Sequence, residues 1–155
     1  MERIPFTPEG LERLKAKLNH METVERIENI KAIEEARAHG DLRENAEYHA
    51  AKERQALIEA KIRELRDIIG RAEIIDSTLE ESDIAVFGKK ITLYDISMGK
   101  KVIYRLVGPY ESDPENGKIS INSPLGRSLI GKGVGDEISV RTPSGVQEFE
   151  ILEIC

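Results

Sequence analysis

The chain has 155 residues, 34% of them charged and 39% hydrophobic, with 29 acidic against 23 basic side chains and a formal net charge of −6. Its length allows one ordinary domain or two small ones, and its composition is that of a folding chain rather than a disordered tail. The negative balance excludes a general attraction to a phosphate backbone or an anionic membrane, and 5% aromatics without tryptophan are too few for a base-stacking platform.

Cys155 is the only cysteine, so no disulfide forms within the chain, and no apolar run is long enough to span a bilayer or to form a signal core. The cytoplasm is therefore the expected compartment, with no membrane partner. Between Thr7 and Gly70 proline is absent after Pro8 and the only interior glycines are Gly10 and Gly40, whereas glycine, proline and β-branched residues become frequent beyond residue 85. This shift predicts two domains, 1–79 and 80–155. Neither is a basic arm: the first carries 14 basic and 17 acidic residues, the second 9 and 12.

Thr7-Pro8-Glu9 reads as a helix start, with a hydroxyl at the N-cap, proline at the first helical position and an acid in the first turn. Leu11, Leu14, Leu18 and Met21, followed by Val24, Ile27, Ile30 and Ile33, predict one seam whose drifting spacing calls for local overwinding or a change of face. A glycine stop is expected at His39-Gly40. A second helix should begin just after it, with Tyr48, Ala51, Gln55, Ile58, Ile62, Leu65 and Ile69 in coiled-coil alternation up to Gly70. Two such seams joined by a few residues pair antiparallel, and the charged outer faces predict a projecting hairpin on the order of 45 Å long.

Beyond a polar connector at Asp76–Asp83, strands are predicted at Lys90–Leu93, Lys101–Val107, Lys118–Ile121, Asp136–Val140 and Gln147–Ile154, with a short helix near Leu125–Ile130. The expected fold class is α+β: an antiparallel helical hairpin followed by a small sheet domain.

The connection between the two predicted helices carries Asp41 and Glu44. Two readings of this pair stand. Asp-x-x-Glu is a capping box that satisfies the first backbone donors of the second helix. The same carboxylates are also hard oxygen ligands for magnesium, too few to hold the ion without a partner macromolecule completing its shell. Arg37, Arg43, Lys52 and Arg54 lie close by in sequence; they either pair with Glu34, Glu35, Glu47 and Glu53 at helical spacing or steer a nucleic-acid end, Arg37 and Lys52 foremost. His20, His39 and His49 have no metal-ligand spacing, Gly131, Gly133 and Gly135 read as a turn, and Tyr48 reads as seam packing.

Glu35-Ala-Arg-Ala-His-Gly-Asp-Leu-Arg-Glu-Asn-Ala-Glu-Tyr-His-Ala-Ala-Lys-Glu53 resembles the tip of bacterial transcript-cleavage factors of the Gre family, of the type with a modestly basic flank. Ser120-Ile-Asn-Ser-Pro-Leu-Gly-Arg-Ser-Leu-Ile-Gly-Lys-Gly-Val-Gly-Asp136 resembles the Ser-Pro motif of that family's C-terminal domain. The resemblance implies a C-terminal domain like that of FK506-binding proteins, docking on RNA polymerase while the coiled coil enters the secondary channel. It further implies that Asp41 and Glu44, while also capping the second helix, share a Mg²⁺ with the polymerase site, that Arg37 and Lys52 contact the nascent RNA 3′ end, and that the polymerase performs the hydrolysis, so the chain itself is not an enzyme. A monomer is expected. The alternative within this architecture is an inhibitor that occludes the channel without promoting cleavage. Few aromatic residues lie in the second half, so no apolar peptide pocket is expected there.

Overall fold

A computed structural model describes residues 2–77 and 81–155. The expected boundary between 79 and 80 therefore lies outside the described residues, as does part of the connector. The chain divides into two compact units, one formed chiefly by Leu11–Ala72 and the other by Arg3–Gly10 with Glu73–Cys155. The fold class is α+β, a helical hairpin and a sheet unit.

Helix α1 (Pro8–His20) runs through a π-helical turn at Met21–Glu25 into α2 (Arg26–Arg37), and α3 (Ala46–Gly70) returns alongside. Contacts at Glu22 with Arg66, Arg26 with Glu59 and Asn29 with Ala51 fix the antiparallel pairing, because rising numbers on one helix meet falling numbers on the other. Met21, Ile58, Ile62 and Leu65 form the buried cluster, with Leu14 and Leu18 packed against it.

The first seam departs from expectation beyond Met21. A strict heptad continuing from Leu14, Leu18 and Met21 would next bring Glu25, Glu28, Ala32 and Glu35 inward. The π turn holds one residue more than an α turn, so every later position advances by one. Asn29, Ile33 and Ala36 are buried as a result. Val24, Ile27 and Ile30, predicted on the seam, face outward at 37%, 44% and 39% exposure. Thr23 supports the bulge, its hydroxyl donating to the carbonyl of Asn19 at 2.7 Å in competition with the backbone ladder. A change of face does occur, through a wider π turn rather than the local overwinding also expected, and it excludes these three apolar residues from the seam. On α3 the seam ends at buried Ile68 rather than Ile69.

In the second unit a short strand β1 (Ile4–Phe6) pairs with β2 (Ala72–Ile74). Neither was predicted: Pro5 interrupts the first, and the second follows directly on the long helical run. The main sheet contains β3 (Lys90–Asp95), β4 (Lys100–Val107), β5 (Lys118–Ser120), β6 (Glu137–Thr142) and β7 (Gly145–Ile154), in the order β5-β4-β3-β7-β6. All pairs are antiparallel except β4 with β5. Helix α4 (Pro124–Leu129) is capped by Ser123, whose hydroxyl accepts from the Gly126 N–H at 3.0 Å. Leu129 joins Ile91, Leu93, Leu106, Phe149 and Ile151 in the core.

Thr7 caps α1, its hydroxyl accepting from the Gly10 N–H at 3.1 Å. The Glu111 carboxylate in turn accepts from the Thr7 N–H at 2.6 Å and its hydroxyl at 2.7 Å, placing a negative charge at the helix start. A β-carbon at Gly10 would displace that carboxylate from Thr7.

Candidate functional site: the turn between the two helices

The chain leaves α2 through a tightened last turn, with the His39 N–H bonded to the Ala36 carbonyl at 3.2 Å and the Gly40 N–H to that of Arg37 at 3.3 Å. Gly40 then reverses the path at φ +110°, a conformation costly for any residue with a β-carbon.

The expected capping box does not form. Helix α3 begins at Ala46, and its N-cap is Asn45, whose side-chain oxygen accepts from the Tyr48 N–H at 3.0 Å. Asp41 instead closes a local turn, one carboxylate oxygen accepting from the Arg43 N–H at 3.0 Å. Glu44 has no bonding partner among the described residues. The reason is competition: Asn45 has the same capping chemistry as Asp41 and stands directly before the uninterrupted helical run. Of the two readings of the pair, capping is removed, and both carboxylates are left exposed with uncommitted oxygens.

Asp41 and Glu44 line one cavity of about 420 Å³ together with His39, Asn45, Ala46 and Glu47. His39 Nε2 lies 3.8 Å from a Glu47 carboxylate oxygen, and His49 Nε2 lies 3.1 Å from the Arg43 carbonyl, so both imidazoles brace the turn. No group of three or more His, Cys, Asp or Glu side chains among the described residues is arranged to hold a metal ion. Two exposed carboxylates lining one cavity, each with at least one uncommitted oxygen, suit magnesium as an incomplete donor set, the remaining positions falling to water or phosphate oxygens.

None of the four cations near the turn pairs with the four glutamates named for them among the described residues. The Arg37 guanidinium lies over the Tyr48 ring, 5.9 Å from its centroid. Lys52 reaches the Gln55 side-chain oxygen at 2.8 Å. Tyr48 and Lys52 are four apart on α3 and share a face, so Arg37 is brought to the helix face that carries Lys52. Tyr48 is therefore more than seam packing: it is half-buried and seats a cation.

Asn45 was missed by the sequence reading, although an Asn three residues ahead of Tyr48 at the head of a helical run is a capping signal. A mainly apolar, open cavity of about 440 Å³ in the sheet unit, lined by Val86, Phe87, Ile121, Arg127 and Ile130, was missed too. It is built chiefly from aliphatic side chains, so an aromatic count could not have revealed it.

Residues 4–74 match the family profile described as transcription elongation factor, N-terminal, and residues 80–155 match transcription elongation factor, GreA/GreB, C-term. The chain belongs to the GreA/GreB family of transcription elongation factors. It is 51% identical to the transcription elongation factor GreA of Syntrophobacter fumaroxidans, covering 99% of both chains. Against GreA of Desulfotalea psychrophila the identity is 49%, covering 99% of this chain and 96% of the relative. A solved structure of GreA factor homolog 1 (Gfh1) from Thermus thermophilus is 32% identical over 99% of both chains, with a TM-score of 0.45. The turn with Asp41 and Glu44 falls within the span of the N-terminal profile. No helix among the described residues is long and apolar enough to cross a membrane.

Proposed function

We propose that the chain acts in the cytoplasm by binding RNA polymerase, with its helical hairpin in the secondary channel, and stimulates the polymerase's own cleavage of backtracked nascent RNA. Asp41 and Glu44 would supply part of the coordination shell of a Mg²⁺ shared with the polymerase site. That ion, when bound, supplies Lewis-acid polarisation and acidifies a coordinated water. The chain's own residues position and steer. Arg37, seated on Tyr48, and Lys52 offer two positive charges to the RNA 3′ end in a chain of net charge −6. The hydrolysis belongs to the polymerase, so the chain is a factor rather than an enzyme.

The observation that carries this reading is the pair of exposed carboxylates, free of capping duty, lining one cavity at a helical turn where no set of three such side chains among the described residues is arranged to hold a metal ion. The test is to add the protein to a backtracked polymerase complex with Mg²⁺ and follow RNA length. Shortened RNA with wild type and little with Asp41→Asn supports the reading, because asparagine keeps the oxygen that closes the local turn and loses only the charge. Slowed elongation without shortening would select the channel-occluding alternative.

A further inference from the structure

The cleavage reading assigns work to the two carboxylates and leaves open what holds them. Each end of a helix carries backbone groups without intrahelical partners. Asn45 reaches one terminal group of each helix: its oxygen accepts from the Tyr48 N–H at the start of α3, and its Nδ2 donates at 2.6 Å to the Ala36 carbonyl in the last turn of α2, which also accepts from the His39 N–H. The orientation of the carboxamide is fixed by chemistry, since a backbone N–H only donates and a carbonyl only accepts. The side chain therefore joins the two helices across the neck of the turn, and Asp41 and Glu44 lie on the closed loop of residues 37–44 between the joined points. No other short side chain does both. Aspartate caps as well but presents an acceptor to the carbonyl, and serine caps but is shorter by the length of an amide group.

We propose that Asn45 is a positioning residue of the turn: by tying Ala36 to Tyr48 it fixes where Asp41 and Glu44 are presented to the polymerase site. This rests on the cleavage reading above for its functional consequence, though not for its geometry. Asn45→Asp and Asn45→Ser both keep a capping oxygen and both lose the bond to Ala36, one with an added charge and one without, so an effect common to both is due to the lost bond.

In the backtracked-complex assay, each variant is expected to keep the factor concentration for half-maximal effect within about twofold of wild type, and to lose about fivefold or more of the maximal cleavage rate, as small misplacements of reacting groups do. A wild-type maximal rate in either variant overturns the proposal. So does a change confined to the half-maximal concentration, which would assign the residue to docking. Amide exchange in the free protein is the readout independent of polymerase. The Ala38, His39 and Gly40 N–H groups should exchange about tenfold faster in both variants while the middle of α3 stays protected. Unchanged exchange at those three amides overturns the proposal even if the wild-type protein proves unable to promote cleavage, a result that would itself overturn the function proposed above.

Discussion

The helical seam and the turn at its end hold their shape by opposite means. Along the seam the side chains dictate and the backbone yields: a π turn at Met21–Glu25 adds one residue so that Asn29, Ile33 and Ala36, rather than Glu28, Ala32 and Glu35, meet α3. In the turn the backbone is irregular and polar side chains hold it, through Asn45 to two helices, Asp41 to Arg43, and His49 to the Arg43 carbonyl. Burial therefore sets the stability of the hairpin, while hydrogen bonds set the geometry of its tip. Substitutions in the first region should unfold the unit, and substitutions in the second should leave it folded but misaimed.

The sharpest way to break this comparison is a pair of single-residue deletions. Removing Thr23 should convert the π turn to regular α-helix and leave Arg26, Asn29, Ile33 and Ala36 in one heptad with Met21. The far-UV helix signal and melting midpoint should stay near wild type. Removing Ala32 should turn the following residues by about 100° relative to those before, taking Ile33 and Ala36 off the seam and pulling the Ala36 carbonyl away from Asn45. A loss of about 3 kcal/mol or more by urea titration is expected, as for other core disruptions. Equal damage from the two deletions would show that the bulge is not the adjustable element.

A smaller effect sharpens the seam itself. Ile62, buried at 1% exposure, should lose about 2–5 kcal/mol as Ile62→Ala. Leu57, on the same helix but 73% exposed, should change stability by less than about 0.5 kcal/mol as Leu57→Ala. Denaturant melts followed by circular dichroism compare them directly. The smallest effect is expected in the turn: Asp41→Asn keeps the acceptor for the Arg43 N–H, so its thermal midpoint should match wild type. A clearly lower midpoint would mean that Asp41 bears structural load after all.

The division between helices and strands was legible because 3–4 spacing and β-branched alternation are local signals, and the five main strands lie within a few residues of their predicted bounds. The π turn was readable only as a drift in spacing. Spacing alone cannot say whether an apolar row such as Val24, Ile27 and Ile30 remains on the seam or is displaced, because that depends on which residues of α3 stand opposite. At the site, Asp41 and Glu44 were visible as types in a pattern, but the pattern suited a cap equally well. What separated the two readings was a rival, Asn45, whose advantage lies in reaching the Ala36 carbonyl of the other helix. That bond spans nine residues and a chain reversal, and no periodicity encodes it. The seat of Arg37 on Tyr48 was hidden for the same reason.

The most direct test of the account is the length of nascent RNA in a backtracked polymerase complex supplied with Mg²⁺ and either wild-type protein or the Asp41→Asn variant, both shown to be folded and bound. The account predicts shortened RNA with wild type and a rate lower by on the order of 100-fold with the variant, as for loss of a group that stabilises charge at a reacting centre. Equal shortening by the two proteins would contradict it.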